Sequence, residues 1–321
     1  MLRYIVRRVL WAVALLVIVS AVVFAIFNIF PTADPATLRA GRAADADQIE
    51  RIRESLGLDD PKHVQFLRYM EGVFTEFDLG DSIFQNNVPV REIIFDRLPA
   101  TIFLVSGAVV LWLAIAIPTG IISALRRRSI LDRATMITTL ILISAPVFWL
   151  GLVALYLFAE DVGLIPIFPG IGSYNTADSF LSKVGTMLLP WFVLAGATAA
   201  IYARYLRSQM IDVMSEDYIR TARAKGLPEH QVIRRHALRT AIVPLVTLLG
   251  LDVGVLLAGN AILTETVFNI PGIGREVTTA IGTSDLPVIQ GIVLFGAFFI
   301  VLFNLLVDIA YAYLDPRVRY Q

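Results

Sequence analysis

The sequence predicts an all-α integral membrane protein with six transmembrane helices, and three observations lead to this fold class. Of the 321 residues, 57% are hydrophobic and only 17% are charged, whereas soluble domains carry about 25% charged residues. The hydrophobic residues are concentrated in six runs, each long enough for the roughly 20 apolar helical residues that a bilayer core needs. Lysine and arginine concentrate in the short segments between alternate runs, which is the distribution that orients membrane helices.

The first element, residues 1–30, is predicted to be a short tail followed by the first span. Residues 9–30 hold no charge, and Arg3, Arg7 and Arg8 precede them. This start resembles a signal peptide, but the apolar run is too long and residues 27–31 are not a small-residue cleavage site. We therefore expect a retained membrane anchor.

The second element, residues 31–98, is polar enough to form a helical extracytoplasmic insertion. One helix is predicted to start at 47–50 and to stop at Gly57, with its apolar stripe at Ile49, Ile52 and Leu56. A second is predicted to start at 60–61, because proline suits a first helical position. Its expected buried residues are Val64, Leu67, Met70 and Phe74. Two interpretations stay open, a cap over the outer ends of the spans or a surface for an external partner.

The third element, residues 99–321, is predicted to contain the remaining spans and one long cytoplasmic loop, 207–240. The five spans cover about 99–125, 134–159, 184–206, 241–264 and 286–313. With both termini in the cytoplasm, 17 of the 27 lysines and arginines lie on the cytoplasmic side. The formal net charge is zero for the whole chain, but once the acidic residues are counted it divides into about +11 for the cytoplasmic segments and −9 for the segments on the other side.

Several kinds of chemistry are excluded by the residues that the chain lacks. There are no cysteines, so disulfides, thiolate metal sites and a cysteine nucleophile are ruled out. No lysine is followed by serine or threonine, so the chain has no P-loop for nucleotide. His63 is predicted to lie across the membrane from His230 and His236, which are six residues apart and do not share a helix face. We expect no metal site, no catalytic residue and no nucleic-acid partner.

The most informative segment is the basic loop at 215–236. Ser215 is predicted to cap a short helix that Gly226 ends in the left-handed conformation, and Pro228 prevents its continuation. Ala222 and Ala224 make this helix slender enough to enter a groove on another protein. The residues alone leave an amphipathic linker lying on the membrane surface equally open.

Two acidic residues, Asp252 and Asp308, lie within apolar spans, where a carboxylate is costly unless it meets protein or water. Gly250, Gly254 and Ala258 form a ridge of small residues suited to close helix packing. Asp252 lies about 200° around the helix from the start of that ridge. It is therefore a candidate to line a transport pathway, with a buried hydrogen bond to another span as the alternative. Asp308 is expected to reach the cytoplasmic interface.

Motifs along nearly the whole chain resemble the inner-membrane permease subunits of ABC importers, specifically the oligopeptide, dipeptide and nickel group. The loop motif RTARAKG at 220–226 places Gly226 at the hallmark glycine, although the general permease pattern has Glu-Ala-Ala where Arg220, Thr221 and Ala222 stand here. The other matching motifs are LGLDDP, DLGDSI, PVREIIFDRLPAT, ETVFNIPGIG and the C-terminal LDPR.

The resemblance implies a type I ABC importer permease fold in a bacterial cytoplasmic (inner) membrane, forming half of an alternating-access pathway for dipeptides or oligopeptides. The implied partners are a homologous second permease, two ATP-binding subunits that hold ATP and Mg, and an extracytoplasmic binding protein. The implied ATPase-coupling residues are Glu216, Tyr218, Arg220, Ala222, Ala224, Lys225 and Gly226. The implied outer gate or binding-protein contact comprises Asn269, Pro271, Gly272 and Gly274.

Three alternatives remain at this point. The same architecture fits the import of nickel chelates or other small solutes. An ion-coupled secondary transporter is less favoured, because the chain lacks the repeated halves and several intramembrane ionisable groups typical of that class. A membrane scaffold without transport would leave the helix–glycine–helix loop unexplained.

Overall fold

The computed structural model describes residues 2–29, 34–41, 44–85 and 87–314, and within these ranges every regular element is a helix. The N-terminal helices are α1 (Leu2–Phe24), α2 (Pro35–Ala40), α3 (Ala46–Ser55) and α4 (Lys62–Glu71). The central helices are α5 (Val90–Leu125), α6 (Ile130–Ser144), α7 (Val147–Phe158) and α8 (Phe180–Met214). The C-terminal helices are α9 (Asp217–Ala224), α10 (Glu229–Gln231), α11 (Leu238–Ala241), α12 (Val243–Val255), α13 (Ile262–Phe268), α14 (Ile273–Thr283) and α15 (Leu286–Leu314). Most of the LDPR motif, at 314–317, lies outside the described residues.

Four helices of the described part are long and apolar enough to cross a membrane: α1 with the wide π-type turn that extends it to Ile29, and α5, α8 and α15. Two helix pairs meet the same criteria but are bent, α6 with α7 by 103° and the segment 229–241 with 243–259 by 47°. The all-helical membrane fold is confirmed, and counting each bent pair as one span gives the predicted six.

The third predicted span, 134–159, is not one straight helix. Ala145 and Pro146 separate α6 from α7, and both residues have extended backbone conformations. Proline disfavours the helical conformation in the residue before it and cannot donate the next helical hydrogen bond. The chain therefore turns sharply at this point.

The fifth predicted span, 241–264, is also interrupted. After α12 the backbone widens into a π-type turn at Leu256–Asn260, where Gly259 has a φ of 109°. Residues with a side chain rarely adopt this backbone conformation, so the glycine at position 259 allows the helix to break before α13.

Small residues allow the long helices to pack closely. A Cβ on Gly107 of α5 would overlap the ring of Trp191 on α8, and one on Gly120 would lie 2.9 Å from the Ala203 carbonyl oxygen. Along α12 the predicted ridge packs against α15. A Cβ on Gly254 would lie 2.8 Å from the Cβ of Phe303, and a Cβ on Gly250 would overlap Val307. The prediction of a packing ridge is confirmed.

The insertion packs against the end of α1 and the start of α15 of the same chain. Phe24 at the end of α1 contacts Phe66 and Tyr69 of α4, with ring centroids 5.3 and 5.5 Å away. The carboxylate of Asp285, just before α15, accepts hydrogen bonds from the Ser82 hydroxyl and from the backbone N–H groups of residues 83 and 84. These contacts fit the interpretation of the insertion as a helical cap.

Two local predictions for the insertion were wrong. The helix α3 is capped by Asp45, in a capping box with Gln48, so it begins before the predicted 47–50 start. In and beyond α4, Leu67 and Phe74 are exposed, whereas Gln65 and Val73 are buried. Apolar spacing did not identify the buried face because Gln65 donates hydrogen bonds to the carbonyls of residues 58 and 60.

Candidate functional site

The predicted coupling loop is built on the end of α8. Ser215 ends α8, Glu216 occupies the N-cap position of α9, and Asp217 lies in the first turn of the helix. The predicted cap at Ser215 is therefore displaced by one residue. Its hydroxyl instead donates to the carbonyl of Asp212, at 2.7 Å. Negative charge still lies at the N-terminus of α9, where the helix dipole stabilises it.

One face of α9 is exposed and the other is part of the protein core. Of the predicted coupling residues, the exposed ones are Glu216, Tyr218, Arg220, Ala224, Lys225 and Gly226. Ala222 differs from them because it is only 6% exposed and lies in the cluster that contains Ile219, Met210 and Val232. Ala222 thus packs α9 against its own chain, and its place among the ATPase-coupling residues stays a prediction.

Gly226 ends α9 as predicted. Its φ is 78°, and a Cβ added there would meet nothing within 4 Å. Glycine is therefore required by the left-handed backbone and not by lack of space. Across this turn Arg223 donates two hydrogen bonds to Glu229, at 2.7 and 3.1 Å, and this raises the pKa of the Arg223 guanidinium.

Asp252 lies in α12 and is half-buried. Its Oδ2 accepts a hydrogen bond from the Tyr202 hydroxyl of α8, at 2.6 Å. The ring of Tyr202 packs against Trp112 of α5, with centroids 5.7 Å apart. The hydrogen bond to another span, which was the alternative for Asp252, is therefore present, and its lining of a pathway stays a prediction.

The loop of the ETVFNIPGIG motif is organised by Glu265, which was not among the predicted site residues. Its side chain is fully buried and accepts hydrogen bonds from Thr101 Oγ1, at 2.7 Å, and from the backbone N–H of Arg275, at 2.9 Å. The carboxylate therefore lies at the N-terminus of α14, where the free N–H groups of a helix point.

Among the four predicted loop residues, Gly272 packs directly against that carboxylate. Asn269 ends α13 with a φ of 56°, and Gly272 precedes α14. A Cβ on Gly272 would overlap the Glu265 carboxylate, and one on Gly274 would lie 2.8 Å from the Cα of Ile262. Pro271 lies between them and is partly exposed. The glycines of the motif thus allow close packing around a buried acid.

Asp308 has a charged partner on α1, and its expected position at the cytoplasmic interface stays a prediction. It forms an ion pair with Arg8 of α1, at 2.9 Å, and both side chains are partly exposed. The N-terminal part of α1 and the C-terminal part of α15 therefore lie at the same level.

Three other buried acids were missed, Asp132, Glu276 and Asp285, each hydrogen-bonded to residues distant in sequence. The available signal was that Asp132 and Asp285 lie next to predicted spans, whereas no such signal marked Glu276. Among the described residues, no group of three or more His, Asp or Glu side chains is placed to hold a metal ion.

Two family models match this chain. The model described as the inner membrane component of binding-protein-dependent transport systems matches residues 116–320. The model for the N-terminal part of such membrane components matches residues 1–105. Together they cover nearly the whole sequence.

Curated relatives match over their full length. The oligopeptide transport system permease protein AppB of Bacillus subtilis is 37% identical over 320 residues, covering 100% of both chains. The dipeptide transport system permease protein DppB of Alkalihalophilus pseudofirmus is 38% identical over 340 residues, again covering 100% of both. The glutathione transport system permease protein GsiC of Salmonella paratyphi A is 40% identical over 321 residues, with the same coverage.

Proposed function

Because the chain belongs to the family of inner membrane components of binding-protein-dependent transport systems, we propose that it forms half of the membrane pathway of an ATP-driven peptide importer. It is a multi-pass permease subunit of an ABC transporter and not an enzyme. The peptide substrate is supported by the printed names of relatives 37–40% identical over the whole chain, which include oligopeptide, dipeptide and glutathione permeases.

The energy for transport enters through α9. Its exposed face ends in the left-handed turn at Gly226 and stands on the cytoplasmic end of α8. This exposed helix on a rigid support is the observation that carries the proposal. Two partner subunits bind ATP and Mg, and their closure displaces α9 relative to the spans.

A homologous second permease completes the pathway, and an extracytoplasmic binding protein delivers the substrate. Asp252 lines the pathway and attracts the amino group of a peptide. The loop 269–274, fixed around Glu265, is the outer gate or the contact for the binding protein. Support for these roles comes from the partial exposure of Asp252 and from the rigid hydrogen bonding of the loop.

Both termini lie in the cytoplasm in this proposal. The Arg8–Asp308 pair supports it, because it brings the start of α1 and the end of α15 to one level of the membrane. The short loops on the side that holds both termini are rich in arginine, and this supports the cytoplasm as that side.

Substrate class is tested by uptake in a strain from which this chain has been deleted. Labelled dipeptides, longer peptides, glutathione and nickel chelates are supplied separately, and the chain is then restored from a plasmid. We expect the deletion to abolish uptake of one class of peptides and the plasmid to restore it. Loss of nickel uptake alone, with every peptide unaffected, would contradict the proposed substrate.

The attachment of the ATPase is tested by purification through a tag on this chain. Ala224→Trp enlarges the exposed face of α9 and is expected to remove the ATP-binding subunits from the purified complex. Thr279→Trp, also at an exposed helical position but on α14, is the matched control and is expected to keep them. Equal recovery of the ATP-binding subunits with both variants would argue against attachment at α9.

A further inference from the structure

An ion pair joins α6 to α8 near the cytoplasmic loops. Arg207 donates from Nε and Nη2 to the two carboxylate oxygens of Asp132, at 2.6 and 2.8 Å. The Asp132 side chain is 6% exposed and that of Arg207 is 21% exposed. Ser123 at the end of α5 and the backbone N–H of Arg128 also donate to Asp132. The carboxylate therefore connects α5, the turn before α6, α6 itself and α8.

This pair is a major attachment of α6 to the rest of the chain. Among the residues of α6 only Asp132 and Thr139 are buried, and the exposed ones include Ile130, Ile137 and Ile141. Further along, a groove of about 350 Å³ lies between α6, α5 and α8. Because few side chains of α6 are buried within this chain, the Asp132 carboxylate is one of its main attachments to α5 and α8.

The other partner of the pair stands close to the coupling helix. Arg207 is two helical turns before the end of α8 at Met214. In the same region Met210 and Val213 of α8 are buried in one cluster with Ile219 and Ala222 of α9. A displacement of α9 therefore displaces the segment of α8 that carries Arg207.

Stability alone is a weak reason for a buried ion pair. Replacing such a pair by apolar residues of similar volume is often neutral or stabilising, because the two charges must be desolvated. A bidentate arginine–carboxylate pair does fix geometry, since the planar guanidinium matches both oxygens at once. The geometry thus serves to hold two helices in a defined relation.

We propose that Asp132 and Arg207 form a mechanical tie through which displacement of α9 reaches α6 and, beyond the bend at 145–146, α7. Both are positioning residues that act through the helices they join. This inference rests on the proposed function, because it concerns how motion from the ATP-binding subunits reaches the membrane pathway. Without the tie, α8 and α9 move while α6 stays behind.

The test uses the whole complex, purified through this chain and reconstituted in proteoliposomes. ATP hydrolysis and uptake of a labelled peptide substrate are measured on the same preparation. The first variant, Asp132→Asn/Arg207→Gln, removes both charges together and leaves no unpaired buried charge. The second, Asp132→Leu/Arg207→Met, replaces the pair by apolar side chains and decides the question if the first does not assemble.

The matched control is Arg8→Gln/Asp308→Asn, which neutralises the ion pair between α1 and α15. We expect peptide uptake per ATP hydrolysed to fall about tenfold in the test variants, within the range of coupling between distant sites. Hydrolysis is expected to continue, and the control should keep the wild-type ratio. The proposal is contradicted if the test variants keep the wild-type ratio, or if uptake per ATP hydrolysed falls equally in the control variant. A wild-type complex without ATP-dependent uptake would instead overturn the proposed function, and the tie with it.

Discussion

Gly272→Ala is expected to destabilise the loop 269–274 because the carboxylate of Glu265 occupies the space that a Cβ needs. The backbone of Gly272 has a φ of −100° and a ψ of 175°, which any residue adopts, so the penalty is purely steric. Glu265 is held by Thr101 and by the backbone of Arg275, at 2.7 and 2.9 Å. Overpacking of this kind costs about 1–3 kcal/mol. If the carboxylate moves instead, each buried donor left unsatisfied costs about 1–3 kcal/mol.

The control is Gly282→Ala, at the other end of α14, where an added Cβ meets nothing within 4 Å. Gly→Ala at a compatible site stabilises by about 0.4–1 kcal/mol, because the unfolded chain loses conformational freedom. The assay is the apparent melting temperature of the purified complex, followed by intrinsic tryptophan fluorescence. We expect Gly272→Ala to melt several degrees below wild type and Gly282→Ala to melt at or above it.

A second comparison identifies the cause. In the double variant Glu265→Ala/Gly272→Ala the obstacle is gone, so adding the alanine at 272 should lower the melting temperature no further than Glu265→Ala alone. Such non-additivity is expected for two residues in direct contact. The explanation of this loop is wrong if Gly272→Ala has the same melting temperature as the wild type. It is also wrong if the decrease caused by Gly272→Ala simply adds to the decrease caused by Glu265→Ala.

Three further outcomes are expected. Gly226→Ala strains a left-handed residue by about 1–2 kcal/mol and should lower peptide uptake per ATP, whereas Gly185→Ala, in open space on α8, should not. Ala222→Trp should displace α9 from its buried cluster and abolish uptake while the chain stays in the membrane, as membrane fractionation would verify. Asp252→Asn keeps an acceptor for the Tyr202 hydroxyl but removes the charge, so competition assays should show a reduced preference for free over acetylated peptide N-termini. An unchanged preference would favour a purely structural Asp252.

The features that sequence analysis predicted correctly depend on local chemistry. Long apolar runs identify membrane helices because every backbone polar group in lipid must be satisfied within the segment. The left-handed turn at Gly226 and the ridge at Gly250 and Gly254 follow from the absence of a side chain. Each of these signals lies within one segment, so no knowledge of the folded chain is needed.

The features that it missed depend on partners distant in sequence. Asp132 and Arg207 are 75 residues apart, and Glu265 and Thr101 are 164 apart. Ala222 has the small side chain expected of a docking helix, but it is buried in one cluster with Ile219 and Met210, and Met210 lies on another helix. The proline at 146 indicates a break, whereas the 103° angle depends on how α7 packs.

In the proposed function, ATP hydrolysis by subunits attached at α9 drives peptide movement through this chain. The most direct measurement is uptake of labelled peptide into proteoliposomes that contain the whole complex, with the binding protein on the side opposite to ATP. We predict uptake that requires both ATP and the binding protein, that persists when ionophores remove all ion gradients, and that is lost in Ala224→Trp. Uptake that continues without ATP and stops when an ion gradient is collapsed would contradict the account.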